Sequence, residues 1–299
     1  MDSISVKEFA QLHQISERTV RNWCSVGKIS GAYLVGKTWS IPEDAAIPKR
    51  SRKGKSVASP LLAILKEQKD SRLKGSIYHQ TQIDLTFSSN HMEGSRLSHE
   101  QTRYIFETNT IGITDDAVNV DDIVETVNHF RCIDHIIDTC EEPLTENYIK
   151  RLHLILKTGT SDSRKDWFVT GDYKRLPNVI GGNYTCPPEE VHRVMRKLLK
   201  EYNALDRKSF DDILDFHQKL ESIHPFQDGN GRVGRLIMFR ECLRNGHVPF
   251  IITEDLRMFY YRGLKEWNHE RGYLRDTCLT AQDNYNALLE KLGIQIVSQ

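Results

Sequence analysis

The sequence predicts a mainly α protein in two unequal parts: a small two-helix head with a hairpin, and a large helical body interrupted by one short hairpin. Three observations lead there. From Pro60 onward, apolar residues recur at helical spacing almost to the end of the 299-residue chain. Residues of β type with turn punctuation are confined to 31–42 and 167–183. A polar, basic run without periodicity, residues 48–56, separates head from body. The expected domains are therefore 1–47 and 60–299, joined by a linker at 48–59.

In the head, Val6, Phe9, Ala10 and His13 mark a short amphipathic helix, and a break follows at Gln14-Ile15. Ser16 stands as the N-cap of a second helix. That helix turns Val20 and Trp23 inward and carries Arg18, Thr19, Arg21 and Asn22 near its start. The segment 31–42 reads as a hairpin turning at Gly36-Lys37 and placed as a wing. Residues 1–55 hold ten Lys/Arg against five acids, and the remainder holds 31 basic against 36 acidic residues. The net-neutral chain is thus a basic head on a mildly acidic body. Residues 3–47 resemble the winged helix-turn-helix of MerR-like and excisionase-like DNA-binding domains. The resemblance implies that Arg18, Thr19, Arg21 and Asn22 read DNA while Lys37 meets a phosphate. It also implies a homodimer on paired half-sites. A protein-docking head of the same shape is the alternative, and the basic run reads equally as a DNA-tracking arm or a plain linker.

In the body, Leu61, Leu62, Ile64 and Leu65 open a helix, and Ile77 to Phe87 form the next, running into Ser89 and Glu93. Ser98 and Gln101 make a capping box, and Asp121-Asp122 place acids in the first turn of another helix. Leu152, Ile155 and Leu156 mark a further one. Val191 to Tyr202 follow after Pro187-Pro188, and Phe210, Ile213, Leu214, His217 and Leu220 lead into His224. Residues 167–175 and 179–182 are expected to pair as a small hairpin whose free edge could take up an extended segment, or which is simply inert.

The most informative stretch is Ile223-His224-Pro225-Phe226-Gln227-Asp228-Gly229-Asn230-Gly231-Arg232-Val233-Gly234-Arg235. It reads as a loop entering a helix. Two glycines bracket Asn230, where the backbone turns tightly or approaches a ligand closely. The free N–H groups at a helix start suit phosphate oxygens. Arg232 and Arg235 lie three apart and share a helix face, so that both can grip a polyphosphate. His224 is the natural general base near neutral pH, and Asp228 is a hard ligand for Mg²⁺. Together they describe a nucleotide-handling site.

This stretch matches every fixed position of His-Pro-Phe-x-(Asp/Glu)-Gly-Asn-Gly-Arg-x-x-Arg, and so resembles the signature of the Fic family. Ser89-Asn90-His91-Met92-Glu93-Gly94 resembles that family's inhibitory element, (Ser/Thr)-x-x-x-Glu-(Gly/Asn). The resemblance implies an all-helical Fic core with the hairpin as a flap that registers the target. It implies transfer of AMP from ATP, with Mg²⁺, to a Tyr, Ser or Thr hydroxyl of a protein. In this reading His224 takes the proton, and Gly229, Asn230 and Gly231 hold the α-phosphate. Asp228 holds the metal, and Arg232 and Arg235 hold the leaving pyrophosphate. Ile180, Gly181, Gly182 and Asn183 in the flap, with Tyr260, Tyr261 and Asn268, would contact the nucleotide. Glu93, with Ser89 beside it, would pair with Arg235 and block the γ-phosphate. The intact Gly-Asn-Gly-Arg segment favours AMP over phosphate transfer. Two alternatives stand: a DNA-binding regulator whose core senses nucleotide, and an enzyme that removes AMP with Glu93 orienting water.

Composition bounds the setting. Cys24, Cys132, Cys140, Cys186, Cys242 and Cys278 are scattered without a C-x-x-C pair, which argues against zinc and against a disulfide framework. No apolar run reaches the roughly 18 residues of a membrane span, and the start lacks a signal-peptide core. The expectation is a soluble, cytoplasmic protein.

Overall fold

The computed structural model describes residues 3–13, 15–25, 27–36, 38–47, 59–112, 117–180 and 182–296. Lys37, Gly181 and most of the expected linker lie outside the described residues, as does the side chain of Asn183. The chain divides into two compact units, Met1–Lys55 and Ser56–Gln299.

In the first unit, β1 (Ser3–Ser5) leads into α1 (Val6–Leu12) through a capping box. The Ser5 hydroxyl accepts from the Glu8 N–H, and the Glu8 carboxylate accepts from the Ser5 N–H. Helix α2 (Glu17–Ser25) starts on Ser16, whose hydroxyl accepts from the Thr19 N–H at 3.2 Å. Strands β2 (Tyr33–Val35) and β3 (Thr38–Pro42) form the expected hairpin. β3 also pairs with β1, giving an antiparallel sheet in the order β1-β3-β2. The pairing of β1 carries no local signal, because three residues are too few for periodicity. Phe9, Val20 and Ile41 are fully buried at the centre of this unit, while Arg18, Arg21 and Asn22 of α2 are exposed.

The second unit begins with α3 (Pro60–Ser71), α4 (Ile77–Met92), α5 (His99–Thr108), α6 (Val120–Thr139) and α7 (Glu146–Lys157). A hairpin of two-residue strands, β4 (Val179–Ile180) and β5 (Asn183–Tyr184), comes next. Then follow α8 (Pro188–Ala204), α9 (Phe210–Ile223), α10 (Asn230–Arg244), α11 (Arg257–Glu266) and α12 (Gly272–Lys291). Ser59, Ser76, Ser98, Asn119, Thr145 and Ser209 cap α3, α4, α5, α6, α7 and α9 by accepting from first-turn N–H groups.

Helix α10 is the axis of this unit: every residue from Asn230 to Leu243 is buried. Its Val233, Leu236, Ile237 and Phe239 join a core with Ile133 and Ile136 of α6 and Leu152 and Leu156 of α7. Its charged residues are buried too, so each requires a partner. Helix α4 shares the apolar core with α6 and adds polar contacts to it. Gln82 donates to Asp134 at 2.8 Å, Thr86 meets His129 Nδ1 at 2.9 Å, and Asn90 donates to Thr126 at 3.2 Å.

One expectation is corrected here. Residues 167–175 do not pair as a strand, and the hairpin is confined to 179–184. The β-type residues upstream are spent on the core instead: Phe168 and Tyr173 are buried, and the Lys174 N–H donates to Pro225 O at 2.9 Å. Among the described residues no helix is long and apolar enough to cross a membrane.

Candidate active site

Helix α9 ends at Ile223, and His224 turns the chain in a left-handed conformation, φ 51°. A non-glycine residue there stores about 1–3 kcal/mol of strain, which the surrounding loop must hold. Asn230 does so with its side chain, accepting from the Phe226 N–H at 2.8 Å and donating to Phe226 O at 2.9 Å. The Phe226 ring stacks on His153 of α7 with centroids 4.0 Å apart. His153 Nδ1 accepts from the Gly171 N–H at 2.9 Å, so its proton sits on Nε2, which faces Asp228 O at 3.2 Å. Gly229, at φ 78°, precedes α10 and offers no side-chain cap. The first-turn N–H groups of α10 are therefore left for an anion.

Burial, and after it the charge of Lys174, pushes His224 down to about 4, so the imidazole is neutral at pH 7. Its Nδ1 is buried, which leaves Nε2 for an incoming hydroxyl. Lys174 is itself buried and donates to Asn178 at 2.7 Å and Thr185 at 2.5 Å, tying the base of the hairpin to the loop. Burial pushes it down to about 8. One turn before His224, Glu221 has a buried Oε1 without a hydrogen-bond partner, facing Gly234, and burial pushes its carboxyl up to about 7.

The two arginines expected to act together are wired to different partners. Arg232 pairs with Glu125 of α6 and, at 3.1 Å, with Asp228. Lys157, the last residue of α7, reaches Glu125 at 2.5 Å and Asp228 at 2.6 Å. Burial raises the Asp228 carboxyl, but Arg232 and Lys157 outweigh it and hold the group well below the usual range.

Arg235 turns the other way, toward the end of α4. Its Nε donates to the Ser89 hydroxyl at 3.1 Å, and its terminal nitrogen donates to Ser89 O at 3.0 Å and Glu93 Oε1 at 2.6 Å. The Glu93 carboxylate rests against Gly231, where a Cβ would overlap Glu93 Oε1. Burial alone would raise the Glu93 carboxyl; Arg235, with help from Arg232, reverses this and lowers it.

The residues expected around the nucleotide separate. Tyr260 is fully buried and its hydroxyl meets His217 Nε2 at 2.7 Å, so it is core and does not line an opening. Tyr261 is partly exposed and its hydroxyl donates to Met92 O at 3.4 Å, next to Glu93. Asn268 is exposed beyond α11, and Ile180 and Gly182 are exposed in the hairpin. Among the described residues no group of three or more His, Cys, Asp or Glu side chains is arranged to hold a metal. Glu125, His153, Lys157 and Lys174 escaped sequence reasoning. His153 and Lys157 do share an α7 face with buried neighbours at i, i+4 spacing, which was the one available signal.

The model of the Fic/DOC family matches residues 143–242, so that stretch carries a Fic/DOC domain. A solved Fic-domain-containing signaling protein from Bacteroides thetaiotaomicron has the same fold, with a TM-score of 0.62 and 21% identity, covering 80% of this chain and 99% of that one. Fic-1 of C. elegans (residues 134–508) gives a TM-score of 0.60 at 18% identity, covering 78% of this chain and 72% of that one. In sequence, the Protein adenylyltransferase Fic of Drosophila grimshawi is 26% identical over 211 residues, 68% of this chain and 40% of that protein. Its Drosophila mojavensis counterpart is 27% identical over 197 residues, 63% and 35% of the respective lengths. This chain thus spans two-fifths or less of the curated relatives it matches here.

Proposed function

We propose that this protein transfers AMP from ATP to a hydroxyl of a protein, itself included, and that Glu93 restrains the reaction. The observation that carries the reading is the Glu93 carboxylate seated on Arg235 and against Gly231, beside a neutral His224 at an uncapped helix start. His224 takes the proton of the attacking hydroxyl as its oxygen bonds to the α-phosphorus. The bond from the α-phosphorus to the bridging oxygen breaks, and pyrophosphate leaves. The N–H groups of Gly229, Asn230 and Gly231 meet the charge that builds on the α-phosphate oxygens. Arg232 and Arg235 take the charge of the leaving group.

Asp228 fits the kind of Mg²⁺ site in which a single carboxylate joins an ion already bound to nucleotide phosphates. Its side chain is half exposed, and both cationic partners sit on one oxygen, Oδ2. That ion would neutralise phosphate charge. While Glu93 holds Arg235, the γ-phosphate loses its partner and the α-phosphate is displaced from in-line attack, and a shift of about 1 Å can cost some 10²-fold in rate. Supporting the reading are the Fic/DOC domain and the adenylyltransferases it resembles.

The test is transfer of α-³²P label from ATP with Mg²⁺ to the protein and to added lysate. Label should be weak in wild type, about 10²-fold stronger in Glu93→Gly, and reduced by about 10²–10⁴-fold on adding His224→Ala to that variant. Absence of label from all three, with AMP released from a pre-labelled target, would replace transfer by removal. The exposed Arg18, Arg21 and Asn22 of α2 also support DNA binding by the head. Its signature would be an affinity falling steeply with salt.

A further inference from the structure

We propose that Lys174 is a positioning residue for His224. It grips the chain on both sides of that residue and fastens it to the base of the hairpin, and its ammonium sets the field in which the imidazole works. The proposal rests on the reading of His224 as base given above.

Lys174 brackets His224. Its backbone N–H donates to Pro225 O at 2.9 Å, and its ammonium donates to Ile223 O at 3.4 Å. The same ammonium reaches Asn178 Oδ1 at 2.7 Å and Thr185 Oγ1 at 2.5 Å. Asn178 immediately precedes β4 and Thr185 immediately follows β5, so these are the two feet of the hairpin. The feet are joined to each other, the Thr185 N–H donating to Asn178 O at 3.2 Å. Two more bonds lie alongside. Asn178 Nδ2 donates to Phe226 O at 3.0 Å, and the Leu176 N–H donates to Gln227 Oε1 at 3.2 Å. Residues 174–178 thus run as a strap along 223–227, with Lys174 at its start.

The charge of that residue calls for a reason. Lys174 is 4% exposed, and among the described residues no carboxylate pairs with it. An ammonium has three protons, and three neutral acceptors take them here. A neutral side chain of similar length would fill the place without the cost of burying a charge. The ammonium is explained by what it faces. It acts on His224 and helps burial to keep the imidazole neutral, while the backbone of Glu221, Glu93 of α4 and Asp228 of the loop pull the other way. A base must be neutral to accept a proton. The turn also needs an outside hold, since His224 sits at φ 51°. Asn230 holds the Phe226 side of the loop, and Lys174 holds the His224 side. An extended segment laid on the hairpin edge would then keep a fixed distance from the imidazole.

The experiment is amide hydrogen exchange and histidine NMR on the full chain, without nucleotide. In wild type the N–H groups of Lys174, Phe226 and Thr185 should open together, with protection within about tenfold of one another. Lys174→Met should speed exchange at Thr185 by at least about tenfold and leave Phe226, bonded to Asn230, as it was. The His224 signal is identified by its loss in His224→Ala. At about pH 5 its protonated fraction should roughly double in Lys174→Met and stay at the wild-type level in Lys174→Arg, which keeps the charge. A purely structural lysine would lower thermal stability without moving His224. Thr185 exchanging freely in wild type while Phe226 stays protected would overturn the proposal, even if the variants fail to fold. So would a folded Lys174→Met that leaves either reading at the wild-type level. No turnover enters this test, so a failure of AMP transfer and a failure of the lysine's role are read separately.

Discussion

Two arginines one helical turn apart on α10 show two ways of keeping a buried cation. Arg232 is held by Glu125, which comes from within α6, is mostly buried, and is shared with Lys157. Arg235 is held by Glu93, which stands at the C-cap of α4, more exposed, with Gly94 at φ 97° directly after it. The first partner is built into the core. The second hangs on a helix end, where backbone rotation moves it without disturbing packing. Under the proposed function, in which Arg235 passes to a ligand while Arg232 stays in place, this asymmetry is what the site needs.

The largest test of that contrast is stability. Glu125→Ala removes the carboxylate that Lys157 and Arg232 share and leaves Asp228 to serve both, with Asp162 at 3.4 Å from Lys157; breaking a buried pair costs about 3–5 kcal/mol, and the remaining partners put this loss at the lower end. Glu93→Gly affects one cation instead of two and leaves Arg235 its two bonds to Ser89, so it should cost less than Glu125→Ala. Chemical denaturation of both variants decides it, and equal losses would break the comparison.

Acid comes next. His129, His153 and His217 are held at about 3 and His224 at about 4, in each case chiefly by burial. Below the unfolded value of about 6.5 the unfolded chain binds protons that the native chain does not. Stability should therefore fall as pH drops from 6.5 toward 4, by about 1.4 kcal/mol per pH unit for each histidine. Glu221, raised to about 7, works in the opposite sense: the native chain holds its proton between the unfolded value and 7. The Glu93 carboxyl is lowered, so its pair with Arg235 is present above its ordinary value and lost only as pH falls through the depressed one. The ratio of Glu93→Gly to wild-type transfer should then stay constant from pH 8 to 6 while denaturation midpoints decline. A ratio that collapses within that window would place the titration on the brake.

The smallest effect expected is at Ser89. Its hydroxyl accepts from Arg235 Nε, and losing a hydrogen bond to a charged group is worth about 1.5 kcal/mol. Ser89→Ala should raise basal transfer by about tenfold, well short of Glu93→Gly, because the Ser89 carbonyl still holds the guanidinium. An effect equal to that of Glu93→Gly would mean that the serine, and not the carboxylate, positions Arg235.

Much of this was legible beforehand. Helical periodicity and side-chain caps such as Ser98 with Gln101 marked the helices, since both act within one or two turns. The hairpin was drawn too long because Phe168 and Tyr173 have strand-like character but are used for packing. Tyr260 was placed at the nucleotide by resemblance alone, and in the structure it is buried against His217. The pairing of Glu93 with Arg235, 142 positions apart, came from the family pattern and not from local chemistry.

The sequence by itself determined the helical class, the loop-helix that delivers His224 and Asp228, and the glycines that leave its N–H groups open. Those features depend on neighbours along the chain. Only the tertiary structure decided that Arg232 goes to Glu125, that Lys157 stands among three carboxylates, and that His153 supports Phe226. Glu125 and Arg232 lie 107 residues apart, and no periodicity reaches that far. A buried charge takes the partner that helix packing brings to it, because an unpaired one would cost more than the fold can spare.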